Sequence, residues 1–220
     1  ESTGCAISSS PIGSGFKAKF YNYTYAQMYS QGFAEYEFAD NGILVGEASD
    51  ITNITVDWPS DADGVQYSQV YGVDISITNF TLELTGYFYA AESGFYDFDF
   101  HSTDDVVVLY LANNAAFDCC NSAKLSKNAD YDNSVIYTAG SIANEGTDYD
   151  DSRQTYLEGG YYYPTRIAYV NMVQFSHLQL IITTPSGKKI ETFAESVFQF
   201  NEEDSTCSTI TANSPGSTTT

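Results

Sequence analysis

The stretch from Gly94 to Cys120 constrains the fold of this chain more strongly than any other. Aromatic and acidic side chains interleave from Phe95 to Phe100, a pattern typical of a β-strand. Val106–Leu111 is an unbroken apolar run rich in valine, which predicts a buried strand. Two such strands in one short segment favour a fold that is built from β-sheet.

The rest of the chain continues with short runs of alternating character and no helical periodicity of useful length. Residues 73–89 predict one strand bent near Asn79, or two consecutive strands, and residues 161–170 and 178–184 predict two more. The acidic segment 145–154 is expected to be a loop. Turns rich in Gly, Asn and Asp separate these runs, which predicts an all-β sandwich or barrel.

The composition of the chain indicates which kinds of partner it can bind. The 220 residues carry a formal net charge of −21 with only 8 Lys and Arg, so phosphate backbones are repelled and nucleic-acid binding is not expected. The same charge favours cations. No apolar run is long enough to span a bilayer, so membrane insertion is not expected either.

Asp104 and Asp105 place two carboxylates side by side at the entrance of the Val106 strand. Neighbouring side chains of a regular strand point to opposite faces, so a trans peptide could not aim both at one ion, whereas a cis peptide could. The alternative is a solvated turn.

Calcium requires six to eight oxygen ligands, some of which can be neutral. The segment Asn171–Phe175 lies between two predicted strands and offers an amide oxygen from Asn171 and the backbone carbonyls of Val173 and Phe175. If this loop curls towards the paired aspartates, calcium could be held between the two segments. Two hydroxyls of a sugar could then fill the vacant positions.

The four cysteines are Cys5, Cys119, Cys120 and Cys207. Adjacent cysteines form a strained ring if they bond to each other, so two pairings remain, each joining Cys5 and Cys207 to the central pair. Either pairing ties both ends of the chain to one loop.

Three acceptor sequons for N-glycosylation accompany the even number of cysteines, and together they predict a secreted glycoprotein. They are Asn22-Tyr23-Thr24, Asn53-Ile54-Thr55 and Asn79-Phe80-Thr81. The tail is rich in Ser and Thr, so we expect one domain over residues 1–207 and the start of a Ser/Thr-rich stalk over residues 208–220.

Catalysis has little support. The chain has two histidines and no Gly-x-Ser-x-Gly motif, and acidic residues are so abundant that paired carboxylates do not indicate a glycosidase. The loop 59–64 contains Asp-x-Asp-Gly without the spacing of an EF-hand. We therefore expect a protein that is not an enzyme.

Three features occur in a fixed order along the chain. They are Gly94-x-Tyr96-x-Phe98 followed by Asp104-Asp105 and an apolar strand, then Cys119-Cys120, then Tyr162-Tyr163-Pro164-x-Arg166-Ile167 leading into Asn171-x-Val173-x-Phe175. In this order the chain resembles, over nearly its whole length, the PA14-type adhesin domains of budding-yeast cell walls, the flocculins and epithelial adhesins.

The resemblance implies a PA14-like β-sandwich with long ligand-binding loops, acting as a calcium-dependent lectin. It implies that Asp104 and Asp105 bind Ca²⁺ across a cis peptide, with the side chain of Asn171 and the carbonyls of Val173 and Phe175 as further ligands. Calcium would then bind vicinal hydroxyls of a terminal hexose directly.

The resemblance also implies a cellular location and a function in adhesion. It implies a secreted protein of the fungal cell wall or cell surface that mediates cell adhesion or flocculation through terminal sugars of surface glycans. Galactose, mannose, glucose and N-acetylglucosamine all offer suitable hydroxyl pairs. We expect a monomeric domain that acts multivalently. The alternative is a structural wall domain with homotypic contacts and a purely structural calcium ion.

Side chains of the segment Asn171–Phe175, here called the second loop, are candidates for sugar contact beyond the metal ligands. Met172, Gln174 and Phe175 are predicted to touch the sugar, with Gln174 hydrogen-bonded to a hydroxyl or an acetamido group and Phe175 packed on an apolar face. Phe175 stands where flocculins commonly carry Trp. Trp58, the single tryptophan, could stack on sugar, with a core position as the alternative.

Overall fold

The computed structural model describes residues 2–22, 42–125, 134–139 and 149–216. The strands are β1 Ser2–Ala6, β2 Gly13–Ser14, β3 Phe16–Asn22, β4 Ile43–Ile51, β5 Val56–Trp58, β6 Tyr67–Val70, β7 Val73–Ser76, β8 Phe80–Ala90, β9 Gly94–Thr103, β10 Val106–Leu111, β11 Phe117–Asp118, β12 Asn121–Leu125, β13 Ile136–Ala139, β14 Tyr149–Leu157, β15 Tyr161–Asn171, β16 Ser176–Leu178, β17 Leu180–Thr183, β18 Lys189–Ile190, β19 Val197–Gln199 and β20 Ser208–Ala212. Within these ranges no helix has the length and apolar character needed to cross a membrane.

Most strands belong to two sheets that pack face to face. The larger sheet has the order β13-β10-β15-β8-β19-β2. In addition, β3 pairs with β8 and β4 with β3, while β1 pairs with β15 and β20 with β1. The smaller sheet has the order β14-β9-β17-β18. Phe88 of the larger sheet contacts Tyr96 and Phe98 of the smaller one, with ring centroids 5.6 and 5.8 Å apart. The predicted all-β sandwich is confirmed.

Strands β9 and β10, both in the stretch from Gly94 to Cys120, differ in sequence because they differ in burial. In β9, Tyr96, Phe98 and Phe100 are buried whereas Phe95 on the other face is 52% exposed, so this strand alternates. Strand β10 is buried at every position because it lies between β13 and β15 and both of its faces are covered. Val107 and Leu109 pack into the main core, and Val108 and Tyr110 pack beneath the cysteine loop.

Two predictions about strands can be compared directly with the structure. The run 73–89 is two strands, β7 and β8, interrupted near Asn79. The acidic segment 145–154 was expected to be a loop, and this is wrong for its second half, which belongs to β14 and pairs with β9. Residues 152–154 face solvent on the last strand of the smaller sheet. Charged and polar side chains are therefore tolerated there, and the pattern of a strand is hidden.

Both chain ends are tied to the vicinal cysteines. Cys5 is bonded to Cys119 and Cys120 to Cys207, which selects one of the two possible pairings. Strands β1 and β20 also pair with each other from Ser2↔Ala212 to Ala6↔Ser208. The domain boundary at residue 207 stays a prediction, but the first five residues of the expected stalk are paired with β1.

Candidate metal centre

The Asp104–Asp105 pair lies where the chain leaves β9 in the smaller sheet and enters β10 in the larger one. The peptide bond between the two aspartates is cis, as the family resemblance implies. Asp105 is 1% exposed, and Asp104 is partly buried. The pair is therefore part of the junction between the two sheets and not a solvated turn.

Backbone hydrogen bonds hold this junction from two sides. The amide of Asp104 donates to the carbonyl of His177 (3.1 Å), and the amide of His177 donates to the carbonyl of Asp104 (3.2 Å). The amide of Asp105 donates to the carbonyl of Val170 (3.2 Å). Strands β15 and β16 thus fix the backbone that carries the carboxylates.

Tyr169 supports the same turn from the core. Its hydroxyl donates to the carbonyl of Asp104. Burial raises the pKa of Tyr169 well above its ordinary value, and the negative charges of Asp105 and Asp104 raise it further. The phenol therefore stays protonated and remains a donor.

The second loop meets the pair because β10 and β15 are neighbours, with Val106 opposite Val170. Asn171 ends β15 and Ser176 begins β16, and Gln174 between them adopts a left-handed conformation with φ of 54°. The Met172 amide donates to Oδ2 of Asp105 at 2.7 Å. The loop therefore curls towards the aspartates, as its expected role requires.

Asn171 is fully buried, and its amide group has a fixed orientation. Its Nδ2 donates to the carbonyl of Ile77 (2.9 Å) and lies 3.4 Å from the carbonyl of Gln174. Two carbonyls at one end of the amide identify that end as the nitrogen, so Oδ1 is the acceptor at the other end. Its predicted role as a neutral oxygen ligand stays a prediction, and this orientation favours it.

The other predicted residues of the loop face outward. The side chains of Val173 and Phe175 are 59% and 42% exposed. Any contribution to a metal would have to come from their carbonyl oxygens, as the sequence predicts. Their exposed side chains and the partly buried position of Gln174 put all three at the surface of the domain.

Gln174 connects this loop to a segment that the sequence did not associate with the site. Its Nε2 donates to the carbonyl of Asp61 (2.8 Å) and lies 3.3 Å from a carboxylate oxygen of Asp63. This contact joins residues more than 100 positions apart, and no local pattern could reveal it. The loop 59–64 therefore borders the site even though it lacks the spacing of an EF-hand.

A cavity of about 420 Å³ opens between these segments. Its wall is formed by Asp63, Gly64, Val65, Thr78, Asn79, Met172, Val173 and Gln174. The volume falls in the range that suits a small ligand. Met172 and Gln174, both predicted to contact sugar, thus share a cavity wall.

Trp58 occupies a different position. It lies opposite Ser176 in the β5–β16 pair and packs against the main core while remaining partly exposed. It supports the strand that follows the second loop and is not part of the cavity wall. Its predicted contact with sugar stays a prediction, and the alternative core position describes its packing.

The chemistry of the assembled groups suits calcium. Carboxylates, amide oxygens and backbone carbonyls are the hard oxygen ligands that calcium prefers, and the two loops contain all three kinds. Among described residues, the single cluster of three metal-ligating side chains is Cys5, Cys119 and Cys207, and disulfides occupy all of these. The aspartate pair therefore needs the neutral oxygens of the second loop to complete a site.

Comparison with known proteins shows similarity to a domain family and to yeast flocculation proteins. Residues 80–184, which include both loops, match the GLEYA domain family. Flocculation protein FLO10 of Saccharomyces cerevisiae is 33% identical over 138 residues, or 61% of this chain and 11% of that protein. Flocculation protein FLO1 of the same yeast is 32% identical over 151 residues, 66% of this chain and 9% of that protein. The chain thus spans about a tenth of the length of these relatives.

Solved structures show the same fold. The epithelial adhesin 6 A domain of Candida glabrata, in complex with Galβ1-3GlcNAc, has a TM-score of 0.75 at 22% identity and covers 94% of this chain and 96% of its own. The epithelial adhesin 9 A domain, in complex with Galβ1-4GlcNAc, has a TM-score of 0.76 at 23% identity, covering 92% and 96%. A PA14 sugar-binding domain from an RTX adhesin has a TM-score of 0.55 at 15% identity, covering 86% and 100%.

The chain therefore has the fold of PA14-type domains. In sequence it is similar to the GLEYA domain family over residues 80–184 and to the yeast flocculation proteins.

Proposed function

We propose that this domain is the calcium-dependent lectin module of a secreted fungal cell-surface adhesin and that it binds terminal hexoses through the ion. The observation that carries the proposal is the meeting of the two loops. The cis Asp104–Asp105 pair faces a second loop whose Met172 amide donates to Asp105 at 2.7 Å. The structural neighbours in complex with galactose-containing sugars support it.

Each residue has a proposed part. Asp104 and Asp105 would supply charged oxygens, Asn171 would supply its Oδ1, and Val173 and Phe175 would supply carbonyl oxygens. Calcium bound there would offer its remaining positions to two vicinal hydroxyls of a hexose. Backbone hydrogen bonds from β15 and β16 hold the aspartate pair in place, so the site would be formed before a ligand binds.

The cavity beside the loop is proposed to set the choice of sugar. Nε2 of Gln174 already donates to the loop 59–64, so its Oε1 is the atom that could accept a hydrogen bond from a hydroxyl. Phe175 is exposed and could pack on an apolar sugar face. Met172 is buried and would shape the cavity wall.

Affinity for one sugar is expected to be modest, because a monosaccharide makes few contacts. Strong adhesion would come from many copies at a cell wall, through high effective concentration. The relatives carry the names of flocculation proteins, which agrees with this role and with the expectation that the chain is not an enzyme.

A glycan array tests the proposal. The purified domain is applied to terminal galactose, mannose, glucose and N-acetylglucosamine glycans in calcium, and again in excess chelator. We expect signal on a narrow set of terminal sugars that disappears with chelator and returns when calcium is restored. Signal that persists in chelator would contradict the calcium mechanism, and no signal in either condition would contradict the lectin assignment.

A specific observation favours the alternative of homotypic contact. Val65 and Tyr67 are 59% and 77% exposed, and with Val173 and Phe175 they are large apolar side chains at the surface. Such side chains can mediate protein contacts. Sedimentation of the domain with and without calcium separates the two functions, because a lectin module stays monomeric at concentrations where a homotypic domain associates.

A further inference from the structure

One of the three glycosylation sequons lies in the wall of the candidate binding cavity. Asn79 occupies the turn between β7 and β8, where its backbone amide donates to the carbonyl of Ser76 at 3.1 Å. Its side chain is partly buried and shares the cavity with Met172, Val173 and Gln174. Asn53, in a second sequon, is exposed and is not part of that wall.

The turn that carries Asn79 is attached directly to the metal loop. Phe80, the next residue, lies opposite Asn171 in the β8–β15 pair. On the other side of Asn79, the carbonyl of Ile77 accepts the hydrogen bond from Nδ2 of Asn171. A group attached to Asn79 would therefore emerge beside the residues proposed to bind calcium and sugar.

The amide of Asn79 is available for attachment. Among the residues that the structure describes, none forms a hydrogen bond with its side chain, and its amide atoms are not among the unsatisfied polar atoms buried from solvent. In contrast, Oδ1 of Asn53 accepts a hydrogen bond from the Thr55 amide at 3.1 Å. Asn79 can thus carry a substituent without losing a contact of the fold.

We propose that Asn79 carries an N-linked glycan whose first residues cover the mouth of the cavity and limit access of ligand glycans. This inference rests on the proposed function for its effect on binding, but not for the modification itself. The donor is an oligosaccharide linked to a polyprenyl diphosphate. Its C1–O bond breaks, a C1–Nδ2 bond forms, the amide loses one proton, and the polyprenyl diphosphate leaves with the bonding electrons.

The modification would precede folding. Thr81, the hydroxyl residue of the sequon, is fully buried, and its hydroxyl donates to the carbonyl of Tyr21 at 3.0 Å. A transferase could read this hydroxyl only in a chain that has not yet formed β8. The glycan would then be retained at the cavity rim when β8 pairs with β15.

The test compares wild type with Asn79→Gln in two hosts. One host secretes the protein with N-glycans, and an oxidising bacterial host produces it without them. Glycopeptide mapping should find Asn79 occupied in the secreted protein. Its affinity for the strongest glycan of the terminal-hexose panel should be about tenfold weaker than that of secreted Asn79→Gln. Bacterial wild type keeps the Asn79 side chain without a glycan and should bind about tenfold more tightly than secreted wild type, which separates the glycan from the side chain.

Asn53→Gln is the matched control, because it removes a sequon outside the cavity and should leave the affinity of the secreted protein unchanged. An unoccupied Asn79, or equal affinity of secreted wild type and Asn79→Gln, would overturn the inference. If bacterial wild type binds no glycan of the panel, the proposed function fails instead. In that case hydrogen exchange of residues 172–175 tests the inference. We expect slower exchange in the glycosylated protein than in the bacterial protein, and equal exchange would contradict the inference.

Discussion

Asp105→Asn is expected to abolish glycan binding and to weaken calcium binding by more than about 100-fold, because even partners of metal ligands typically contribute 10–100-fold. The substitution removes one charged oxygen from the proposed site. It keeps the shape of the side chain, and the Asn amide oxygen can still accept the hydrogen bond from Met172 that Asp105 accepts at 2.7 Å. The domain should therefore remain folded while it loses the ion.

Calorimetric titration with calcium and the glycan array measure the two effects, and circular dichroism checks the fold. Asp97→Asn is the matched control, since Asp97 lies on β9 in a pair with Thr183 and its substitution also removes one negative charge. The control should bind calcium and glycan as wild type does. Unchanged glycan binding in Asp105→Asn would refute the site.

Replacing Cys5 and Cys119 together with alanine is expected to lower the free energy of unfolding by about 4–5 kcal/mol, because the bond closes a long loop in the unfolded chain. The two cysteines are 114 positions apart, and both are buried in the smaller core cluster. The loss should be large because the disulfide also joins β1 to the cysteine loop that packs on β10.

Denaturant unfolding under non-reducing conditions measures this loss. The double variant Cys120→Ala and Cys207→Ala removes the other disulfide, which is less buried and spans 87 positions. It should cost slightly less, since loop entropy changes slowly with length and fewer buried contacts are lost. A loss below about 1 kcal/mol in the first variant would contradict the expectation that closing this long loop stabilises the fold.

A strand could be predicted from the sequence where the pattern of its apolar and polar side chains reflects its burial. Strands β9 and β10 have clear patterns, because one alternates and the other is covered on both faces. Strand β14 was missed, because its outward side chains are charged and polar. The pairing of the cysteines was open, since both choices satisfy the same spacing. It is decided by burial, with Cys119 in the core and Cys120 partly exposed.

The two loops of the candidate site could be predicted because each has a local sequence pattern. Adjacent aspartates and a loop with an asparagine are local patterns, and the neighbouring positions of β10 and β15 bring them together. The contributions of Asp61, Asp63 and Asn79 could not be predicted. They depend on the contact of Gln174 with a distant loop and on the packing of the β7–β8 turn against β15.

In the proposed mechanism a sugar binds to calcium itself at the aspartate pair. A crystal structure of the calcium-loaded domain with its strongest array ligand, using anomalous scattering to locate the ion, tests it most directly. We expect calcium contacted by Asp104, Asp105 and Asn171, with two vicinal sugar hydroxyls at about 2.3–2.6 Å from the ion. A calcium ion whose ligands are protein and water alone, with the sugar bound elsewhere, would contradict it.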